Sequence, residues 1–306
     1  MSLQRLHPIL LLIITLLLIS TRSYWPNTSI EYLLCVLCIF ITGIPHGSMD
    51  HHTASFLNGG RFRLLQYLIQ YVAAAGAYLI LWFLMPGFAF ILFLLLTAWH
   101  FGETDIHTLS NKKMNGLLLF IYGFSLTMWL LLKDPAIILY WTGIITNQLE
   151  WVQLLMKWLL RFPHWGWFMI AAAVLIFSIH SQPGKWLDTG LFLTFVWLSP
   201  FTSLLVGFVI YFSGWHSVQA LKHLRISVFK AAGLQQMLWS AIPAITGALL
   251  ILAAIFFLGN SSWINHNGLP ALFILLAVLT LPHLIQMHRL YRYFSSEKMN
   301  DAKEGE

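Results

Sequence analysis

Four histidines at the ends of long apolar runs are the residues of this sequence best suited to chemistry. They are His46, His100, His216 and His283, and each directly follows a proline or a tryptophan. An ionisable side chain inside a bilayer costs about 2.5–3.5 kcal/mol on insertion scales, so it usually faces the bundle interior and has a function. Neutral imidazole is also the commonest metal ligand. The recurrence favours a shared metal site, although any one of these residues alone could be a packed side chain hydrogen-bonded across helices.

Acidic side chains accompany two of these histidines. Asp50 lies four residues after His46, while Glu103 and Asp105 lie three and five residues after His100. Each carboxylate could accept the second ring N–H of a ligating histidine and fix its tautomer. Imidazole suits iron, zinc, copper and nickel, and the absence of cysteine from the cluster disfavours structural zinc. A non-haem iron with open coordination positions would bind dioxygen.

The composition identifies an integral membrane protein. Of 306 residues, 58% are hydrophobic and 9% are charged, against about 25% charged in soluble domains. The net charge of +6 comes from basic residues scattered singly or in pairs between apolar runs, so topology explains it better than nucleic-acid binding. Cys35 and Cys38 lie inside an apolar run and are expected to be core residues without a disulfide.

The apolar runs predict an all-α polytopic membrane helix bundle with about ten (8–10) transmembrane helices. About 17–25 residues cross a bilayer, and these runs lack the two-residue alternation of barrel strands. We expect residues 1–294 to form a single transmembrane domain and the polar tail 295–306 to be disordered. The runs are 8–20, 30–45, 64–85, 88–106, 116–132, 136–156, 165–181, 187–216, 237–258 and 269–288.

Two of the ten runs are less regular than the others. The run 136–156 carries Asn147, Gln148 and Glu150, so it could lie partly in the membrane interface, and the long run 187–216 is interrupted by Pro200. Ten crossings with cytoplasmic termini would place 14 of the 17 Lys and Arg residues inside, as the positive-inside rule favours. In that topology the helices that carry the four histidines all run inward, so the rings meet at a similar depth in the cytoplasmic leaflet.

Four motifs carry these histidines in a characteristic order and spacing. They are Gly43-Ile44-Pro45-His46-Gly47-Ser48-Met49-Asp50-His51, Trp99-His100-Phe101-Gly102-Glu103-Thr104-Asp105, Trp215-His216-Ser217 and Pro282-His283. The set resembles the Brp/Blh family, the membrane-embedded β-carotene 15,15'-dioxygenases of bacteria and archaea. The resemblance implies an Fe(2+)-dependent, all-helical enzyme of the inner (plasma) membrane. It would use O2 to cleave β-carotene or a related carotenoid at the central double bond into two all-trans-retinal, with a functional link to a retinal-binding rhodopsin.

The resemblance places the family's iron ligands on His46, His100 and His216. In the family a fourth ligand lies four residues after the third, in a His-Ser-Pro-Arg-His motif, and this chain has Ala220 there. The next histidine, His223, lies seven residues after His216, displaced by about 10.5 Å of helix rise. The fourth ligand is then His283, which we favour, or His51, or His223 if the helix breaks after His216, unless the site has three ligands.

The sequence leaves other functions open. A di-iron membrane desaturase or hydroxylase would use His46 with the His51-His52 pair, but it needs about eight metal-facing histidines. A transporter would use the histidines as a proton or metal path, although such proteins show polar groups through the full bilayer depth. Because Ala220 replaces a ligand of the family, a member that has lost catalysis and binds carotenoid is a further alternative.

Overall fold

The part of the chain that the computed structural model describes is helical, with no strand among its residues. It comprises residues 35–109 apart from 36, 115–162, 164–180, 202–229, parts of 235–250, and 261–304. This confirms the all-α prediction for that part. The helices are α1 (Ile44–Ser48), α2 (Asp50–Asn58), α3 (Leu64–Leu84), α4 (Pro86–Leu109), α5 (Gly116–Leu131), α6 (Pro135–Ile145), α7 (Glu150–Leu160), α8 (Trp165–His180), α9 (Leu204–Val209), α10 (Ser217–Ser227) and α11 (Ser261–Glu304).

Several of these helices are long and apolar enough to cross a membrane. Helix α3 has 21 residues, which gives about 31 Å at 1.5 Å per residue and matches a hydrocarbon core of about 30 Å. Its outer face exposes large apolar side chains such as Leu65 and Phe83, as a lipid-facing helix does. The candidate spans among the described residues are Leu64–Leu84, Pro86–Ile106, Leu204–Ser227 and Phe273–Phe294. Two bent helix pairs among the described residues raise the number from four to six if each pair forms one span.

The run 136–156 is not one helix, so the prediction of a single continuous helix there is wrong. It forms α6 and α7, and the chain between them has Asn147 and Gln148 at positive φ, 52° and 58°. Positive φ is uncommon outside glycine and is enriched for asparagine, and it ends the right-handed helix. At its start α6 bends by 100° from α5, where the Asp134 carboxylate accepts the Ile137 N–H as a helix cap. The orientation deduced from Lys and Arg assumed a crossing here, so cytoplasmic termini remain a prediction, as does the total of ten spans.

Helix α11 is longer than the run 269–288 predicts. It continues to Glu304, and so it includes most of the tail for which composition predicts disorder. Pro270 and Pro282 lie inside this helix, each without the N–H that the helical ladder needs. Pro282 directly precedes His283, and Pro45 occupies the first turn of α1 directly before His46. The predicted first span, 8–20, lies outside the described residues.

Helices α4 and α5 pack backbone against backbone through two glycines. A Cβ at Gly102 would collide with the carbonyl of Leu119, and a Cβ at Gly123 would collide with the carbonyl of Ala98. Small residues permit such close approach between membrane helices. The contact fixes the part of α4 that carries His100 against α5.

Two π-helical segments precede or contain candidate ligands. The segment π1 (Ile39–Gly43) leads directly into α1, and the segment π2 (Ile210–His216) lies between α9 and α10. They pack against each other, and a Cβ at Gly43 would lie 2.8 Å from the Phe212 ring. Single π-helical turns occur frequently at functional sites. Here they bring His46 and His216 to neighbouring positions.

Candidate metal centre

Three histidines from distant parts of the chain meet in the interior of the bundle. His46 comes from α1, His100 from α4 and His216 from the end of π2, and they are 4%, 3% and 0% exposed. Each offers one ring nitrogen, and the three nitrogen atoms lie within 4.8 Å of one another. Among the described residues this is the one group of three or more His, Cys, Asp or Glu side chains so arranged. The spacing is that of a site that could hold a metal ion.

His283 from α11 lies beside this group. Its ring centroid is 4.8 Å from that of His46 and 4.9 Å from that of His100, with the rings nearly perpendicular in both pairs. Its Nε2 is buried and has no hydrogen-bond partner among the described residues. The structure therefore brings together all four histidines at the ends of the apolar runs, three as a close set and the fourth against two of them.

The acceptors around these rings determine their tautomers. Nδ1 of His46 bonds the carbonyl of Gly43, and a carbonyl can only accept, so this nitrogen carries the hydrogen. Nδ1 of His283 lies 2.7 Å from Oδ1 of Asp50, and Nδ1 of His216 lies 3.5 Å from Oδ1 of Asp105. His46 and His283 therefore carry a hydrogen on Nδ1, and in the neutral ring Nε2 keeps its lone pair. The 3.5 Å contact of His216 is longer than a hydrogen bond and favours the same tautomer.

These lone pairs fit a bound cation. Nε2 of His216 lies 3.2 Å from Nε2 of His100, and two lone pairs at this distance repel unless a proton or a cation lies between them. The donors are neutral imidazoles supported by carboxylates and a backbone carbonyl, an arrangement that orients ligands and raises their basicity. The donor set fits iron, as it fits other first-row metals that bind imidazole.

Asp105 is the centre of a second buried network, which the sequence did not indicate. Its Oδ2 accepts hydrogen bonds from the hydroxyl of Tyr122 at 3.0 Å and from that of Tyr211 at 2.9 Å. All three side chains are fully buried. Asp50 has a similar partner, because its Oδ2 accepts from the hydroxyl of Tyr71 at 3.1 Å. Both carboxylates therefore link a tyrosine to a histidine of the cluster.

Glu103 lies elsewhere, although it was predicted to support a ligand as Asp50 and Asp105 do. Its Oε1 lies 2.8 Å from Nδ1 of His288 on α11. The contact joins α4 to α11. None of the four clustered histidines takes part in this contact, so Glu103 supports the cluster indirectly, by holding together the helices that carry His100 and His283.

The alternative ligands also lie outside the close set. Nδ1 of His51 bonds the carbonyl of Ser48, and its ring lies 3.9 Å from that of His52. Burial, and to a smaller extent the neighbouring His51, lower the pKa of His52 to about 4. Helix α10 continues unbroken after His216, and the ring of His223 packs 5.2 Å from that of Tyr291.

Ala220, the position at which the resembling family has a histidine, is completely buried in α10. It lies four residues after His216 in a continuous helix, so the two share a face. A methyl group at this position offers no ligand atom. The fourth imidazole near the cluster comes from α11 instead.

Comparison with known proteins gives a consistent result. The family model described as beta-carotene 15,15'-dioxygenase matches residues 37–291. A protein of an uncultured marine bacterium, 66A03, with the name beta-carotene 15,15'-dioxygenase, is 28% identical over 275 residues, which cover 87% of this chain and 96% of the relative. No solved structure matches the chain.

Proposed function

Since the chain belongs to the β-carotene 15,15'-dioxygenase family, we propose that it cleaves β-carotene or a related carotenoid at the central double bond. One carbon–carbon double bond is broken, each of the two carbons receives one oxygen atom of O2, and two all-trans-retinal molecules result. The observation that carries the proposal is the buried group formed by His46, His100 and His216. Three imidazoles in an apolar bundle are costly, and a redox reaction on an apolar substrate gives them a function.

The cofactor in this proposal is a single ferrous ion. Nε2 of His46, His100 and His216 would hold it, with His283 as the fourth ligand. Bound there, Fe(2+) would supply the redox chemistry that allows dioxygen to react with an alkene. Two observations support His283 as a ligand. Its buried Nε2 has no hydrogen-bond partner among the described residues, and its Nδ1 lies 2.7 Å from Oδ1 of Asp50, which orients the ring.

The residues around the cluster would place the substrate and exclude water. The Phe212 ring stacks on Phe208 at 5.3 Å and lies 6.0 Å from the ring of His216, and both phenylalanines are half-buried. The ring of Phe101 also lies close, 4.8 Å from the ring of His216. These aromatic side chains would provide an apolar surface against which a conjugated hydrocarbon can pack. By holding one double bond out of many beside the ligands, the protein would gain both rate and regiospecificity.

Three alternative functions differ in how much the described residues support them. A di-iron enzyme is disfavoured, because the described residues contain one group of ligand atoms and not two. A family member without catalysis is favoured only by Ala220, which removes a ligand of the family motif. A proton or metal transporter has no comparable support among the described contacts.

The surroundings of the proposed enzyme follow from its substrate. The exposed apolar faces of α3 and its neighbours indicate lipid around the bundle, and we place the protein in the inner (plasma) membrane with several crossings. β-Carotene is itself soluble in lipid, so it would enter from the bilayer. The retinal product provides the proposed functional link to a rhodopsin.

Expression in bacteria that accumulate β-carotene tests this function. We expect the cells to lose their orange colour and to form retinal, which is detected by chromatography. Alanine at His46, His100 or His216 should reduce retinal to background, while His164→Ala, at an exposed position outside the cluster, should leave it unchanged. The alanine variants must remain in the membrane at wild-type amounts.

Two outcomes would count against the proposal. Intact carotene with the wild-type protein, together with iron bound to it, would support the non-catalytic family member. Two iron ions per chain would support the di-iron enzyme.

A further inference from the structure

We infer that Tyr122 and Tyr211 are positioning residues for the metal ligand His216, acting through Asp105. The inference rests on the proposed function, because it assigns these tyrosines to the support of a bound iron. Both hydroxyls donate to Oδ2 of Asp105, at 3.0 Å and 2.9 Å. The other oxygen, Oδ1, lies 3.5 Å from Nδ1 of His216, in contact with the ring but beyond a hydrogen bond. The order of groups is phenol, carboxylate, imidazole, metal.

The two tyrosines approach Asp105 from different elements and so restrict its carboxylate from two sides. Tyr122 lies on α5, next to the glycine contact at Gly123, and Tyr211 lies in π2. A buried carboxylate is costly unless it is hydrogen-bonded. Since both donors bond the same oxygen, the plane of the carboxylate is fixed and its other oxygen has a defined direction.

The π-helical segment π2 explains how one element can carry both Tyr211 and His216. They are five residues apart, and in a π-helix the hydrogen bond runs from residue i to i+5. In an ordinary α-helix the residues that share a face are three and four apart. The wider turn brings both side chains towards Asp105, with the two rings 6.2 Å apart.

The same order of groups recurs at a second ligand, which argues against coincidence. Tyr71 donates to Oδ2 of Asp50 at 3.1 Å, and Oδ1 of that residue contacts Nδ1 of His283 at 2.7 Å. The tyrosine, aspartate and histidine of this second set come from α3, α2 and α11. Two carboxylates in different helices thus use one oxygen for a phenol and the other for an imidazole of the cluster.

A tyrosine that only stabilises the fold would affect unfolding and not metal binding, and Tyr78 provides the matched control. Its side chain is buried and its hydroxyl donates to the carbonyl of Ala89 at 2.9 Å, away from the histidines. Tyr78→Phe removes one buried hydroxyl and one hydrogen bond, as Tyr122→Phe and Tyr211→Phe each remove one. The substitutions differ in the acceptor. Tyr78→Phe removes a donor from the carbonyl of Ala89, whereas Tyr122→Phe and Tyr211→Phe each remove a donor from the carboxylate of Asp105.

The experiment compares metal binding by the purified full-length protein in detergent. Fe(2+) affinity is measured without oxygen by competition with a chromogenic chelator, and Co(2+) is bound separately to record its visible absorption. We expect the double variant Tyr122→Phe/Tyr211→Phe to weaken Fe(2+) binding by up to about tenfold, the lower limit for loss of an outer partner of a ligand, because the tyrosines act on His216 only through Asp105. The Co(2+) bands should shift, each single variant should show a smaller change, and Tyr78→Phe should match the wild type in both measurements.

The outcomes separate this inference from the proposed function. Wild-type protein that binds neither Fe(2+) nor Co(2+) overturns both. Wild-type binding together with affinities and spectra of the tyrosine variants equal to those of Tyr78→Phe overturns the inference alone. If the double variant does not fold, the two single variants and Asp105→Asn decide in the same assay, because Asp105→Asn keeps the shape of the side chain and should cost at least as much affinity.

Discussion

Whether His283 replaces the missing family ligand can be tested by separating its two ring nitrogens. In His283→Asn the side-chain amide N–H takes a position close to that of Nδ1, so it can still donate to Asp50, whereas the atom that corresponds to Nε2 is lost. In His283→Ala both are lost. Asp50→Asn keeps both nitrogens of His283 and removes the charge that orients the ring.

The magnitudes follow from the burial of the pair. The His283 and Asp50 side chains are 7% and 3% exposed and lie 2.7 Å apart. Removing the donor of a buried carboxylate costs about 1–3 kcal/mol or more, so His283→Ala should lower the free energy of unfolding by that amount and His283→Asn by much less. Both should weaken Fe(2+) binding by more than about 100-fold, since even an outer partner such as Asp50 changes metal affinity by about 10–100-fold.

The assay combines chelator competition for Fe(2+) with denaturant unfolding of the metal-free protein in detergent. Ala220→His in the His283→Asn background restores an imidazole one turn from His216 and should recover part of the affinity. His283→Asn that binds Fe(2+) as tightly as the wild type would refute the role of His283, and the site would then have three protein ligands. Equal destabilisation by His283→Asn and His283→Ala would refute the argument about Asp50.

Three further predictions concern the fold, an excluded ligand and the cofactor. Gly102→Ala and Gly123→Ala should each lower the free energy of unfolding by about 1–3 kcal/mol or more, as overpacking does, while Gly76→Ala, which meets nothing within 4 Å, should not destabilise the protein in the same unfolding assay. His223→Ala should leave Fe(2+) affinity and retinal formation unchanged, because its ring packs on Tyr291, and a loss of affinity without misfolding would place it in the site. Chelation of the purified enzyme should abolish retinal formation measured by chromatography, and Fe(2+) but not Zn(2+) should restore it; activity that survives metal-free preparation would contradict an iron enzyme.

The sequence predicted the parts of this molecule that depend on composition and on strongly constrained residues. The apolar runs predicted α3, α4, α5 and α8 closely, because lipid leaves a hydrophobic backbone segment few alternatives to a helix. The four histidines were recognisable since ionisable groups in such runs are costly. Their meeting in space agrees with the expectation of a common depth.

The parts that could not be predicted depend on contacts between residues distant in the sequence. The pairs Tyr211 with Asp105 and His283 with Asp50 are separated by 106 and 233 residues, so no local pattern reveals them. Tyr211 also lies five residues from His216, a spacing that α-helical periodicity assigns to different faces. Glu103 had the residue type and the sequence position expected of a carboxylate that supports a ligand. It bonds His288 instead, and no sequence signal distinguishes that histidine. The run 136–156 forms two helices, and the only sequence signal of this was its polar residues Asn147 and Gln148.

The π-helical geometry of π2 couples the position of His216 to how the helix is wound. An α-helix turns by about 100° per residue, and a π-helix, whose hydrogen bonds span one residue more, turns by less. If the segment Ile210–His216 rewound as ordinary helix at unchanged length, His216 would rotate by roughly 100° about the helix axis relative to α9 and turn away from His46 and His100. Deleting one residue between Ile210 and Trp215 would largely cancel this rotation, because the new α-helix then has one residue fewer. A single deletion within π2 should therefore disturb the cluster less than a single deletion within α9, which has no surplus residue.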